Sequence, residues 1–240
     1  GDQAMQDRRN GAEDAKRDPA RFRNFNLSVL VSDDFMKALA GTDEWPLTFG
    51  GVVHRLVGAR DLWRRLMQAT YDVAEPGVIF IDRVNQQNNL AYCEEILASN
   101  PCGEQMLPPY GACLLGSINL ARLVTRPFSA AAILDEEELA VLTSTAVRFL
   151  DNVIDISRYP LPRQEAEARE KRRIGLGVTG LADALLMVGL RYGSPEAAAQ
   201  TEKWMHAIAR ASYLASVDLA KEKGAFPLFD ADAYLASGNM

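Results

Sequence analysis

The decisive stretch of this sequence is Asn100-Pro-Cys-Gly-Glu-Gln-Met-Leu-Pro-Pro-Tyr-Gly-Ala-Cys-Leu-Leu-Gly-Ser-Ile-Asn-Leu120, in which a polar segment leads into an apolar strand. Asn100, Cys102 and Glu104 alternate with a proline and a glycine. Because proline disfavours the α region for the residue before it, the pattern predicts an extended backbone. Every second side chain of an extended backbone points the same way. The spacing therefore predicts that an amide, a thiol and a carboxylate share one face.

The thiol of Cys102 has two interpretations. An unpaired cysteine is most often a small buried hydrophobe. Here a proline and a glycine flank it, and neither a helix nor a central strand tolerates that pair well, which favours a loop and chemistry. A neighbouring carboxylate disfavours a thiolate nucleophile, and His54 and His206 lack the motif context of a Cys–His hydrolase. The residues therefore favour radical or redox chemistry of the thiol, with Glu104 as a separate acid or base.

Composition narrows the class of protein. The 240 residues are 48% hydrophobic and 24% charged, which is enough for one large domain or two small ones. A net charge of −6 argues against general affinity for nucleic acid or an anionic membrane. Three cysteines cannot form a disulfide scaffold, and two isolated histidines predict no metal site. With no secretory signal and no membrane-length apolar run, we expect a cytoplasmic protein, and both ends look cut from a longer chain.

Hydrophobic periodicity predicts alternating strands and helices. The predicted strands are 26–32, 78–81 and 112–120. Four helices are predicted. The first begins at Ser32, the second covers 59–71 and the third covers 136–156. The fourth runs from Ser194 to about Lys223, before Gly224. Residues 85–89 are predicted to form a polar loop. Strands separated by helices predict the α/β class.

Four motifs in the same order resemble the large, catalytic subunit of ribonucleotide reductase. The first is the stretch from Asn100 to Leu120, whose Leu-Pro-Pro-Tyr-Gly-Ala-Cys wording is most similar to the adenosylcobalamin-dependent class II enzymes. The others are Glu75-Pro-Gly-Val-Ile-Phe-Ile-Asp-Arg-Val-Asn85, Arg172-Arg-Ile-Gly-Leu-Gly-Val-Thr-Gly-Leu181 and Lys221-Glu-Lys-Gly-Ala-Phe-Pro227. The resemblance implies part of a ten-stranded α/β barrel, formed by residues 26–240, with the catalytic loop inserted as a finger.

The resemblance also implies a role for each reactive group. Cys102 would carry the thiyl radical that removes hydrogen from C3′ of the ribose, and Glu104 would take the 3′-hydroxyl proton. Asn100 would orient the ribose, and Cys113 would be one of two reducing thiols whose partner lies outside this chain. The substrate-binding loop would comprise Asn100, Pro101, Cys102, Gly103 and Glu104.

The cofactor and partners expected from the resemblance follow from the same reaction. They are adenosylcobalamin, a ribonucleoside di- or triphosphate substrate, a deoxynucleotide allosteric effector, a thioredoxin-like reductant and a second copy in a homodimer. Residues 1–25 are a polar segment. The resemblance implies that this segment is a specificity loop, whereas composition alone favours a solvated loop. Its candidate contacts are Arg17, Arg21, Arg23 and Asn24. Without the second reducing thiol, the chain alone is expected to be inactive.

Several alternatives stay open at this point. A class I large subunit, which receives its radical from a partner protein, is the first, and a glycyl-radical class III enzyme is less favoured. Gly175 to Gly180 matches the spelling of a dinucleotide-binding loop, but a charged segment rather than an apolar strand precedes it. Tight packing of a loop against the helix that follows explains those glycines more simply. A non-catalytic nucleotide-binding module would leave Cys102 inert, and Cys93 is expected to be a packing residue.

Overall fold

The computed structural model describes residues 26–236. These residues form two compact units, the first made of 26–109 and 231–236 and the second of Tyr110–Asp230. Helices and strands alternate along both, so the predicted α/β class is confirmed. None of the helices within 26–236 is long and apolar enough to cross a membrane.

The first unit is built on a parallel pair of strands. Its elements are β1 (Ser28–Val31), α1 (Asp33–Ala40), β2 (Glu44–Phe49), β3 (Val52–Gly58), α2 (Ala59–Val73), β4 (Gly77–Phe80), α3 (Ile81–Gln86), β5 (Ala98–Ser99), β6 (Met106–Leu107) and α8 (Ala231–Ala236). Strands β1 and β4 pair in parallel, with Ser28 opposite Gly77. The pairs β2–β3 and β5–β6 are antiparallel hairpins.

The first helix shows how local sequence determines this unit. Ser32 caps α1 by accepting a hydrogen bond from the N–H of Phe35, as the Ser-Asp-Asp sequence predicts. Phe35 is buried, with its ring 5.1 Å from that of Trp45 and edge-on to it. Val31 and Ala59 complete the buried cluster, so α1 and α2 share one core with β1.

The second unit contains a second parallel pair. Its elements are β7 (Leu114–Asn119), a 3₁₀ turn (Leu120–Leu123), β8 (Val124–Thr125), β9 (Ile133–Leu134), α4 (Glu136–Ile156), α5 (Pro162–Lys171), β10 (Ile174–Thr179), α6 (Leu181–Met187) and α7 (Pro195–Lys223). Strands β7 and β10 run parallel, with Leu114 opposite Ile174. The helix α4 packs on both strands and against α7.

Alternation along β7 separates a core face from an exposed face. Ile118 belongs to the main buried cluster with Leu139 of α4 and Trp204 of α7. Gly116 faces Leu150 of α4, and a Cβ at Gly116 would be in ordinary contact with the Leu150 side chain at 3.4 Å. Side chains on the opposite face, such as Leu115, stay exposed.

A group of charged residues holds three segments of this unit together. Asp151 of α4 accepts hydrogen bonds from Arg172 Nε at 2.8 Å and from Lys223 Nζ at 2.7 Å. Arg172 also donates to Asp155 Oδ1 at 2.7 Å, and Lys223 to Asn152 Oδ1 at 2.7 Å. We call Asp151, Asp155, Arg172 and Lys223 the charge cluster. It ties α4 to Arg172, the residue that follows α5, and to the last turn of α7.

Most predicted elements are confirmed, two of them at the predicted bounds. Helix 136–156 is α4, and the helix capped by Ser194 ends at Lys223 before Gly224. The predicted strand 78–81 and loop 85–89 need correction, because Ile81 begins α3 and this helix extends to Gln86. Asp82 stands in its first turn and accepts a hydrogen bond from the N–H of Asp33, a placement that suits an acid.

Residues 26–236 show no closed barrel, so the expectation that they form part of a ten-stranded barrel stays a prediction. Their ten strands make five separate two-stranded sheets, two of them parallel. A barrel needs hydrogen bonding that continues around a closed ring of strands. The two parallel pairs leave open edges within the described part of the chain.

Candidate active site

The loop from Asn100 to Gln105 is the tight connection of the β5–β6 hairpin. The N–H of Gly103 donates to the carbonyl oxygen of Asn100 at 3.1 Å, which closes a β-turn with proline at its second position. The N–H of Asn100 donates to the carbonyl oxygen of Gln105 at 3.0 Å. The N–H of Gln105 in turn donates to Asn100 Oδ1 at 3.0 Å. The loop is therefore held by its own backbone and by one side chain.

The prediction of an extended backbone at Asn100–Glu104 is wrong. Pro101 and Cys102 occupy the centre of the turn, and Gly103 has φ +80°. Such a φ suits glycine, which has no Cβ to strain. The turn, rather than alternation along a strand, brings Asn100, Cys102 and Glu104 into one short loop.

Exposure divides the loop into presented and supporting groups. Cys102 and Glu104 are exposed, whereas Asn100 is half-buried and takes part in the turn. Leu107 and Pro108 directly after the loop are buried and anchor the hairpin in the first unit. The arrangement can present a thiol and a carboxylate to a molecule that approaches the loop from outside.

The sulfur of Cys102 has a contact that the sequence did not indicate. Asn26 Nδ2 donates to Cys102 Sγ at 3.9 Å, a distance at the long end for a sulfur acceptor. Asn26 stands two residues before β1 and 76 residues from Cys102. No local pattern links residues so far apart, so only the tertiary structure could find this pair.

Cys113 lies in the second unit, immediately before β7. Its thiol is half-buried and donates to the carbonyl oxygen of Leu114 at 3.7 Å. Burial raises the pKa of the Cys113 thiol, and the positive charge of Arg173 opposes the rise. Arg173 stands immediately before β10, and the register of β7 and β10 makes it the neighbour of Cys113. A paired role of Cys113 with the 100–105 loop stays a prediction.

The glycines from Gly175 to Gly180 do not form a nucleotide-binding turn. Gly175 and Gly177 lie inside β10, so the expectation of a loop here was wrong. Gly180 has φ +68° between β10 and α6, and a Cβ there would overlap Asn119 Oδ1. Close packing does explain Gly180. A dinucleotide fingerprint needs its glycines in the turn between strand and helix, which this arrangement does not provide.

Three further expectations concern residues away from this loop. Arg17, Arg21, Arg23 and Asn24 lie outside the described residues. Cys93 was expected to pack inside, but it is exposed in a turn before β5, where the short helical turns leave its side chain on the surface. Within 26–236 no group of three or more His, Cys, Asp or Glu side chains could hold a metal ion.

Comparison with known families assigns the chain. A family profile described as "Ribonucleotide reductase, barrel domain" matches residues 4–239. The chain belongs to this family. The resemblance carried by the four motifs is therefore confirmed at the level of the family, and the match covers the 100–105 loop and Cys113 together.

Three similar proteins illustrate the relationship. The "Vitamin B12-dependent ribonucleoside-diphosphate reductase" of Mycobacterium tuberculosis is 41% identical over 223 residues, covering 92% of this chain and 31% of the relative. The protein of the same name from Thermoplasma acidophilum is 39% identical over 206 residues, with coverages of 85% and 26%. The "Ribonucleoside-diphosphate reductase subunit alpha" of Chlamydia pneumoniae is 35% identical over 178 residues, with coverages of 72% and 17%. The chain thus spans less than a third of these relatives' lengths.

Proposed function

We propose that the protein to which this chain belongs reduces ribonucleotides to 2′-deoxyribonucleotides by thiyl-radical chemistry at Cys102. The observation that carries the proposal is the tight loop of the β5–β6 hairpin, which exposes a thiol and a carboxylate in a member of the ribonucleotide reductase family. Among residues 26–236, Cys102 forms no disulfide and Glu104 forms no ion pair that would exclude it from chemistry.

Each loop residue has a step in this proposal. The sulfur radical of Cys102 takes the hydrogen atom from C3′ of the ribose and becomes a thiol. The carboxylate of Glu104 accepts the proton of the 3′-hydroxyl as general base. The side-chain oxygen of Asn100 accepts a hydrogen bond from the N–H of Gln105, which helps to close the turn. The side-chain NH₂ group of Asn100 donates to the ribose hydroxyls. Pro101 and Gly103 keep the loop narrow enough for the ribose to approach the sulfur.

Cys113 supplies one of the two thiols that reduce the sugar. Two thiols give up two electrons and two hydrogens and become a disulfide, while the 2′-hydroxyl leaves as water. The half-buried thiol of Cys113 suits this role, because burial raises its pKa and so favours the neutral thiol. The second thiol comes from outside this chain, so the 240 residues alone should show no turnover.

Adenosylcobalamin is the cofactor in this proposal, and when bound it would supply the one-electron oxidant that the Cys102 thiol needs to become a radical. The exposed position of Cys102 fits a radical source bound outside the loop. No residue from 26 to 236 can be assigned to holding cobalamin. Two of the relatives with the highest identity carry "Vitamin B12-dependent" in their names, which supports class II over a class I subunit.

The remaining parts of the proposal extend the family assignment. Residues 26–240 contribute part of a closed ten-stranded barrel whose missing strands lie elsewhere, with the 100–105 loop as its finger. Residues 1–25 form the specificity segment. The substrate is a ribonucleoside diphosphate, as the relatives' names suggest. A deoxynucleotide acts as allosteric effector, and a thioredoxin-like dithiol reduces the disulfide again. The protein is a cytoplasmic homodimer.

The test is a pair of cysteine variants in the complete protein. Cys102→Ser should abolish deoxyribonucleotide formation, because serine has no weak S–H bond to form a radical. Cys93→Ser, at another exposed thiol of the same unit, should retain activity. Full activity in Cys102→Ser would refute the mechanism. Nucleotide binding without turnover in the wild type would instead indicate a binding module.

Omission of the cofactor separates the two classes of reductase. The complete protein should form deoxyribonucleotides only when adenosylcobalamin is added. Activity that needs a second protein subunit and no cobalamin would assign the chain to class I.

A further inference from the structure

The contact between Asn26 and Cys102 is the feature that the mechanism above does not use. The amide nitrogen of Asn26 donates to the sulfur of Cys102 at 3.9 Å, and both side chains are exposed. Both residues belong to the first unit. The contact therefore joins the start of β1 to the catalytic loop within one compact body.

The backbone beside Asn26 is held in place on the β4 side. The N–H of Leu27 donates to Glu75 Oε2 at 3.2 Å, and the N–H of Gly77 donates to the carbonyl oxygen of Leu27 at 2.9 Å. Ser28 opposite Gly77 then sets the register of β1 and β4. These hydrogen bonds fix the backbone beside Asn26, and therefore the position of Asn26 next to the loop.

The loop that carries Cys102 is held as well. Its backbone is closed by the three hydrogen bonds among Asn100, Gly103 and Gln105. When both partners of a contact are already ordered, making the contact costs little further conformational entropy. A weak donor to sulfur can then select one orientation of the thiol.

We propose that Asn26 is a positioning residue that holds the Cys102 sulfur toward the ribose. The inference rests on the proposed function, since it specifies how the radical-bearing sulfur is aimed. Hydrogen transfer requires the two atoms to stand in near-attack geometry, and a displacement of about 1 Å can cost about a hundredfold in rate. An amide N–H on one side of the sulfur restricts its rotation while leaving the opposite side open to substrate.

The contact itself is tested by the alkylation of thiols in the complete protein. Asn26→Asp keeps the size of the side chain but places a negative charge beside the sulfur, which disfavours the reactive thiolate. Alkylation of Cys102 by iodoacetamide, followed by mass spectrometry, should slow about fivefold relative to Cys93, as expected for two charges about 4 Å apart in water. High salt should shrink the difference. An unchanged ratio, or an equal slowing at both cysteines, overturns the contact.

The role in catalysis is tested by steady-state kinetics. Asn26→Ala should lower kcat about tenfold with KM changed less than twofold, because the substrate still binds but the sulfur is less well aimed. Asn26→Gln keeps an NH₂ donor and should retain more of kcat than Asn26→Ala. Equal kcat in Asn26→Ala and wild type overturns the positioning role.

The two measurements keep this inference separate from the proposed function. A wild-type protein without reductase activity refutes the function, while the alkylation ratio still reports on the contact. A wild-type protein with reductase activity, combined with an unaltered kcat in Asn26→Ala, refutes only the role of Asn26.

Discussion

Replacing Asp151 by alanine should destabilise the second unit by about 2–3 kcal/mol. Asp151 has only 13% of its side chain exposed and receives hydrogen bonds from both Arg172 and Lys223. Removing one partner of a buried ion pair typically costs about 3–5 kcal/mol, because the opposite charge stays desolvated. Here Arg172 keeps its bond to Asp155, and Lys223 is nearly one third exposed, so part of that cost is offset.

Asp155→Ala is the matched control in the same cluster. Its side chain is 45% exposed, and ion pairs at that exposure contribute about 1 kcal/mol or less. Urea unfolding, followed by hydrogen exchange of peptides from α4 and α7, reports this unit separately from the first. Equal losses in the two variants, or a loss below about 1 kcal/mol in Asp151→Ala, would refute the argument that burial makes Asp151 the centre of the cluster.

Three further predictions test electrostatics and packing. Burial by itself would raise the pKa of Asp151, but hydrogen bonds from two cations hold it below the usual value. A carboxyl group whose pKa is lower in the folded than in the unfolded state, where it is about 3.9, stabilises the fold above that pH. This stabilisation is lost as the pH falls through the pKa of the folded state. In urea unfolding, the free energy of unfolding of Asp151→Asn should therefore depend less on pH below about pH 4 than that of the wild type. Gly180→Ala should cost about 2–4 kcal/mol in the same assay, because alanine is strained at φ +68° and its Cβ would overlap Asn119; a loss below about 1 kcal/mol would contradict this. Arg173→Met should raise the pKa of Cys113 and slow its alkylation near pH 8, whereas an unchanged pH profile would show that the charge does not act on the thiol.

Local sequence was sufficient where a helix carries its own start and stop signals. Ser194 caps α7 through the N–H of Ala197, and Gly224 with φ +90° ends it, as predicted from serine, proline and glycine. The β2–β3 hairpin was missed although Gly50-Gly51 between two strand-forming runs is a recognised hairpin signal. Its exposed apolar side chains, such as Phe49 at 82%, do not alternate as the strand rule expects.

The candidate site likewise has features that local sequence predicted and features that it did not. The motif around Cys102 predicts the candidate reactive residues, and family membership supports that choice of residues. The backbone conformation was predicted wrongly, because the preference of the residue before proline does not reveal a turn closed by Gly103 and Asn100. Hydrogen bonds between residues up to five positions apart close that turn. The conformational preference of a single residue does not account for such bonds.

The sequence by itself determined several of the strands and helices, among them α4 and α7, and the residues that cap α7. These follow from interactions between residues close in the chain, whose energies depend on the residue types. Only the tertiary structure decided that Asn26 meets Cys102, that Arg173 stands beside Cys113 and that Asp151 joins three segments. Such contacts depend on how strands pair and helices pack, and many alternative pairings are compatible with the same local preferences.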